Sequence, residues 1–313
     1  MSVQASEHEG RGLALAALLI GALAIAFAPI FAKLVEDVGT TASAFWRTGL
    51  AVPLLITFSG LSRVIQKAKI RNQPVQRVRV PMTRGRLLWL IIPGVVFAGD
   101  LASWHLALEY TTAAASTLLA NLQAVIVGFI GWLVLKERMS RLFAIGAAMA
   151  LGGTVLVLFA PGKEIESAAR PMLGNSISIV TAFFYASYIL SIKKARENST
   201  AMEIMIGASI ACSIVLLIIA LAAGEQIMPT TTRDWWMVLG LAIVPHCVGQ
   251  GLIAHALAHL PASFSAVTLL LQPVAAAIWG WLFLKEPLTA AQMGAGAIVV
   301  VGIYLARRGS LAQ

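Results

Sequence analysis

Charge is the scarcest property of this chain. Asp, Glu, Lys and Arg make up 12% of its 313 residues, against about a quarter in a soluble domain. The deficit is concentrated in blocks. Residues 13–32, 111–135, 142–162, 171–192, 204–224 and 287–306 hold none of the four, and neither do the fifty positions from Trp235 to Leu284. A soluble globular fold is excluded by that pattern, since roughly 20 consecutive apolar residues suffice to cross a bilayer as a helix. Cysteine is nearly absent. Cys212 and Cys247 are the only two, both inside apolar blocks, which excludes a disulfide framework or a thiolate metal cluster and leaves them as small core residues. No glycine-rich phosphate loop is present, so direct drive by ATP is excluded. No small-x-small cleavage site follows Leu13–Ala32 before Lys33, so this block is expected to be a span and not a cleaved signal.

What is present is a set of helical blocks. Cuts at charge clusters and turn residues predict an all-α integral membrane protein with ten transmembrane helices, near 12–35, 39–62, 86–109, 112–135, 140–160, 172–192, 202–223, 235–258, 262–284 and 288–306. Pro261 and Pro287 fall at helix starts, where a missing N–H is harmless. Pro29, Pro53, Pro93, Pro245 and Pro273 fall within spans and are expected to kink or open them.

The positive charge, a net +9, orients the helices. With the N-terminus inside, the inner segments carry 17 Lys and Arg residues: Arg11, eight from Arg63 to Arg86, Lys136, Arg138, Arg141, Lys193, Lys194, Arg196, Arg307 and Arg308. The outer segments carry five, Lys33, Lys163, Arg170, Arg233 and Lys285. This bias places both termini in the cytoplasm. The basic 63–86 loop thus serves topology, with contact to anionic lipid as a further role, and nucleic acid is not an expected partner.

One word is written twice. Residues 131–137 read GWLVLKE and residues 280–286 read GWLFLKE, 149 positions apart. From Gln123 and Gln272 to the Glu, 8 of 15 positions are identical, and Ala107-Leu108 and Ser116 fall on Ala256-Leu257 and Ser265 in the same register. An internal duplication follows. Five helices separate the copies, an odd number, so the chain is expected to form two inverted five-helix repeats, residues 1–160 and 161–313. Lys136-Glu137 and Lys285-Glu286 would then lie on opposite faces. Inverted repeats are a ground plan of secondary transporters, in which two halves enclose a site near the midplane and expose it to each side in turn.

The residues also carry a family resemblance. Phe45-Trp46-Arg47 opens the second span, Ala107-Leu108-Glu109-Tyr110-Thr111 ends the third, and Lys136-Glu137-Arg138 and Lys285-Glu286-Pro287 follow the fourth and ninth. Small-residue helices, GAAMALGGTVLVL and GAGAIVVVGIYL, come after each. In these stretches and their spacing, over nearly the whole chain, the sequence resembles the ten-helix EamA-type exporters of the drug/metabolite transporter superfamily. The resemblance implies a carrier of the inner (plasma) membrane, often an amino-acid exporter, and the polar and aromatic residues look most like the aromatic amino-acid branch. Residues 13–32 contain no Glu where a small multidrug antiporter would keep its cation-binding carboxylate.

Polar side chains are costly at the bilayer centre, so their depth locates a site. Arg47 lies eight residues into its span and Asp100 nine from the outer end of the third. Asn121, Gln123, Tyr185, Tyr188, His246, Gln250 and Gln272 reach a similar depth from the fourth, sixth, eighth and ninth. Arg47 and Asp100, on adjacent spans, are expected either to form a structural ion pair or to contact substrate. Asp100 and Trp104 share a face at i, i+4, as do His246 and Gln250 after Pro245. Gln123 and Gln272 occupy equivalent repeat positions, as a pair of site groups or of interhelical hydrogen bonds. Ser178, Thr181, Tyr185 and Tyr188 form a polar stripe that is expected to face a cavity. His255 and His259 share a face without a carboxylate nearby, and no metal or cofactor is expected. The glycines of the fifth and tenth spans suit close packing within one protomer or between two in a homodimer.

Amides, hydroxyls, one histidine, one charge pair and aromatic faces suit a small zwitterion with an apolar side chain. The expected function is therefore secondary export of neutral or aromatic amino acids by alternating access. The alternative is proton-coupled export of other small organic metabolites or drugs. A membrane enzyme would need a nucleophile–base pair or metal spacing that the chain lacks, and a pore remains the third class.

Overall fold

A computed structural model describes residues 2–69, 82–111, 113–158, 170–285 and 289–311. The expectations for Lys163, Glu286, Pro287 and the middle of the basic 63–86 loop lie outside the described residues. Among those described, all regular structure is helical. Eight helical spans are long and apolar enough to cross a membrane. They contain α1 (Ser2–Ile25) with α2 (Ala28–Leu34), α3 (Thr40–Gly49) with α4 (Ala51–Lys69), α5 (Arg84–Tyr110), α9 (Pro171–Ala195), α10 (Ala201–Ala222), α11 (Thr232–Leu241) continued by a π-helical segment (Ala242–Gln250) and α12 (Gly251–Ala256), α13 (Ala262–Thr268) with α14 (Leu271–Leu284), and α15 (Ala290–Leu311). The blocks expected as fourth and fifth spans carry shorter helices: α6 (Ala113–Ala120), α7 (Gln123–Leu133) and α8 (Arg141–Leu158).

The prolines act through the turn before them. Proline lacks an N–H and its ring crowds the carbonyl four residues earlier. The chain breaks at Ala26-Phe27 ahead of Pro29, at Leu50 ahead of Pro53, and at Leu269-Leu270 ahead of Pro273. Pro245 falls inside the π segment, where a wider turn removes the clash, and Pro93 is absorbed within α5. A further break at Asn121-Leu122 has no proline; Ala124 stands where the second copy has Pro273. Pro261 is the N-cap of α13.

Small residues let the helices close on one another. Gly94 of α5 leaves no room for a Cβ beside the carbonyl of Ala208 on α10. Gly146 of α8 meets the backbone of Gly302 and Ala306 on α15, and Gly153 meets that of Ala295 and Val299. Backbone contact of this kind replaces hydrophobic drive, which lipid does not supply between helices. These glycines are used within the protomer, whereas a Cβ at Gly152 or Gly294 would touch nothing. Along α5 and α9, Gly174 abuts Tyr110 and Thr111, and the Ser103 and Thr181 hydroxyls meet at 2.8 Å. Outward, Phe58, Phe129, Trp132, Phe183, Ile214 and Ile218 are exposed, an apolar belt that acyl chains would cover.

The duplicated word has one backbone signature. Lys136 (φ 54°) and Lys285 (φ 57°) are the two non-glycine residues with left-handed backbone among those described, and they are repeat equivalents. This conformation costs an L-residue roughly 1–2 kcal/mol. It turns Glu137 back across the molecule, where its carboxylate accepts from the N–H groups of Ala262 (2.7 Å) and Ser263 (3.1 Å) and from the Ser263 hydroxyl. Glu137 thereby caps α13 and holds the end of α7 at the start of α13. Glu137→Ala strips three hydrogen bonds from a helix end. It should cost about 1–3 kcal/mol, read as a lower thermal midpoint in detergent, whereas an unchanged midpoint would show the cap to be idle.

Candidate functional site

The helix breaks surround a cavity with about 1130 Å³ of empty space, its open mouth included. Pro29 of α2, Arg47 of α3 and Asp100 and Trp104 of α5 line it, as do Asn121 and Gln123 of the α6–α7 break, Tyr185 of α9, Gln250 of the π segment and Gln272 of α14. Of the sequence-predicted residues, the cavity thus gathers Arg47, Asp100, Trp104, Asn121, Gln123, Tyr185, Gln250 and Gln272. The lining comes from the helix portions nearest residues 35–39, such as Ala32, Ser43, His105 and Thr117. At the opposite end the walls are joined by the Glu137 cap and by Lys193, whose ammonium donates to the Leu260 carbonyl at 2.7 Å.

Several polar atoms of the lining side chains have no protein partner. Gln123 Nε2 reaches the Ala266 carbonyl at 3.5 Å, but its Oε1 is buried and unpaired. Gln272, its repeat equivalent, is likewise left with Nε2 unpaired, and so is Arg47 with Nε. A buried polar group left unmade costs roughly 1–3 kcal/mol. Native proteins hold few of them, and three belong to residues that line one cavity. Both glutamines also reach other helices, Gln123 the Ala266 carbonyl and Gln272 the Tyr185 side chain, so each amide lines the cavity and bonds between helices.

Of the two expectations for Arg47 and Asp100, a structural ion pair or contact with substrate, the ion pair does not form. The two are within electrostatic range, yet the ion pairs given for described residues lie elsewhere: Arg86–Glu203, Lys194–Glu197 and Arg233–Glu36. The guanidinium instead sits over the Phe97 ring, 5.7 Å from its centroid. Both charges line the cavity wall.

Tyr188 and His246, also predicted as site residues, stand behind the wall and not on it. Tyr188 donates to Gln250 Oε1 at 3.1 Å and stacks on Phe97 at 4.5 Å. His246 Nε2 pairs with the Ser209 hydroxyl at 2.8 Å, its ring 6.0 Å from Phe97. Gln250 lines the cavity, whereas His246, four residues earlier in the π segment, is turned to Ser209 and Phe97. The polar stripe of α9 divides too: Thr181 and Tyr185 face the cavity, while Ser178 bonds Ser116 and the Gly174 carbonyl in the interior. Sequence reasoning missed Phe97 and His105. His105 stood at the depth of the polar band and was findable there; a lone Phe in an apolar helix carries no signal. His255 and His259 stack at 5.2 Å, and no group of three metal-binding side chains occurs among the described residues.

The chain matches the model of the EamA-like transporter family twice, over residues 12–159 and 172–308. It is 25% identical to the pseudopaline exporter CntI of Pseudomonas aeruginosa over 228 residues, 72% of this chain and 77% of that protein. It is 27% identical to an uncharacterized transporter of Archaeoglobus fulgidus over 272 residues, 84% and 86% of the two chains. Over 200 residues it is 25% identical to the uncharacterized transporter YetK of Bacillus subtilis, 63% and 60% of each. In fold, it resembles a solved crystal structure with a TM-score of 0.73 at 17% identity, covering 96% of this chain and 97% of the other. A multi-pass helical membrane protein with family matches over both its halves, the chain belongs to the EamA-like transporter family.

Proposed function

We propose that this protein is a secondary exporter of small metabolites, foremost neutral and aromatic amino acids, working by alternating access in the inner membrane. In this reading the chain forms ten spans as two inverted five-helix repeats, residues 1–160 and 161–313, with both termini cytoplasmic. The observation that carries it is the cavity between the breaks. Each half contributes an equivalent glutamine to its lining, Gln123 and Gln272, and each glutamine has one amide atom without a hydrogen-bond partner. A pocket with apolar walls and a few converging polar groups suits a small organic ligand, and Trp104 and Tyr185 supply aromatic faces for an apolar side chain. The relatives named as an exporter and as transporters support movement of a small molecule outward.

The cavity lies toward one end of the helices while Glu137 and Lys193 close the other, which supports a state open to one side. Transport would require the Glu137 end to separate. The driving force in this reading is the substrate gradient. A second reading is proton coupling, favoured by one observation: Asp100 lines the cavity without an ion-pair partner.

Proteoliposomes loaded with labelled amino acids test both. Saturable release of at least one neutral or aromatic member is expected, at a rate that does not change when a pH gradient is collapsed. A rate that falls with the gradient would favour coupling through protons, and non-saturable leakage of every solute would sink the carrier altogether. Gln123→Leu and Gln272→Leu should each slow the saturable release several-fold without lowering the thermal midpoint, because each removes an amide with an unsatisfied atom.

A further inference from the structure

Arg47 is a buried charge with no counter-charge of its own. The residue is 8% exposed, its Nε has no hydrogen-bond partner, and no carboxylate is in ion-pair contact with it. What supports it is aromatic. Phe97 lies under the guanidinium at 5.7 Å and is itself stacked on Tyr188 at 4.5 Å, with the His246 ring at 6.0 Å. Tyr188 is held by Gln250 and His246 by Ser209. The guanidinium is thus seated on a locked aromatic floor, and a cation–π contact compensates only part of the cost of burying a charge. A planar guanidinium with unused N–H groups on a cavity wall has the geometry for a bidentate carboxylate. Asp100, 8% exposed, lines the same cavity within electrostatic range and offers the opposite charge.

We propose that Arg47 binds the carboxylate of the transported molecule and Asp100 its ammonium group, so that this pair of charges selects zwitterions. The proposal rests on the cavity being the transport site. It assigns roles to two buried charges that line the cavity without an ion pair between them. Substrate would complete the ion pairs that the protein leaves open, and an empty cavity would be the electrostatically strained state.

Three probes separate the two charges: L-phenylalanine, L-phenylalaninamide without the carboxylate, and 3-phenylpropionate without the ammonium. In proteoliposome uptake, Arg47→Gln should lower transport of L-phenylalanine and 3-phenylpropionate at least about tenfold relative to wild type. L-phenylalaninamide should stay within about twofold of its wild-type rate. Asp100→Asn should do the reverse, lowering L-phenylalanine and its amide and sparing 3-phenylpropionate. Equal loss of all three probes, or unchanged L-phenylalanine transport in Arg47→Gln, would overturn the assignment. Should Arg47→Gln not yield monodisperse protein, Arg47→Lys keeps the charge but loses the fork. A preferential loss of the two carboxylate probes would then support the anchor, and uniform loss would overturn it. If wild type moves none of the three, the amino-acid reading fails, and the anchor is judged on binding alone. A rise in thermal midpoint with 3-phenylpropionate that Arg47→Gln abolishes would uphold it, and no rise in wild type would overturn it.

Discussion

Hydrocarbon offers no hydrogen bonds, and the rest of this structure follows from that. A helix crossing lipid satisfies its own backbone, but a break in it frees N–H and C=O groups that must find protein partners or a polar cavity. This chain has breaks at Ala26-Phe27, Leu50, Asn121-Leu122 and Leu269-Leu270, besides the widened turn around Pro245. Most of them border one cavity. At the start of α13 the free groups meet the carboxylate of Glu137. The breaks themselves are closed by short bonds along their own chain, as from Phe27 to the Ala24 carbonyl, Leu122 to that of Leu119 and Leu270 to that of Val267.

The same constraint explains the glycines. Where helices must seal against each other without water to drive them, backbones approach directly, as at Gly94 on Ala208 and at Gly146 on Gly302. Tight backbone contacts mark the scaffold, and underpaired groups recur on residues that line the cavity. Arg47, Gln123 and Gln272 keep unpaired atoms in a structure whose remaining polar side chains mostly return to nearby carbonyls, as Thr48, Thr154 and Thr268 do.

Depth was legible in the sequence; rotation was only partly so. Counting residues from helix ends brought Arg47, Asp100, Asn121, Gln123, Tyr185, Gln250 and Gln272 to one level, because rise per residue is nearly constant. Which way each points depends on helical phase, which a count of depth does not supply. Tyr188 and His246 had the right depth but stand behind the wall, paired with Gln250 and Ser209. The ion pair expected of Arg47 was a rule about charges applied without knowing that Phe97 would lie beneath the guanidinium. The duplication was the most informative signal. It located the equivalent glutamines and the equivalent lysines, and the left-handed backbone at Lys136 and Lys285 follows the repeated letters. The break at Asn121-Leu122 was hidden because its proline exists only in the other copy.

The central claim is that the two copies of one word end on opposite faces of the membrane, with the cavity between them. Lys136 and Lys285 are both exposed, so each can be tested in a chain whose Cys212 and Cys247 have been replaced by alanine. Lys136→Cys and Lys285→Cys, present singly in intact cells, should differ in labelling by a membrane-impermeant maleimide. The account predicts that Lys285→Cys labels from outside and Lys136→Cys only after the membrane is permeabilised. Labelling of both from the same side would contradict it.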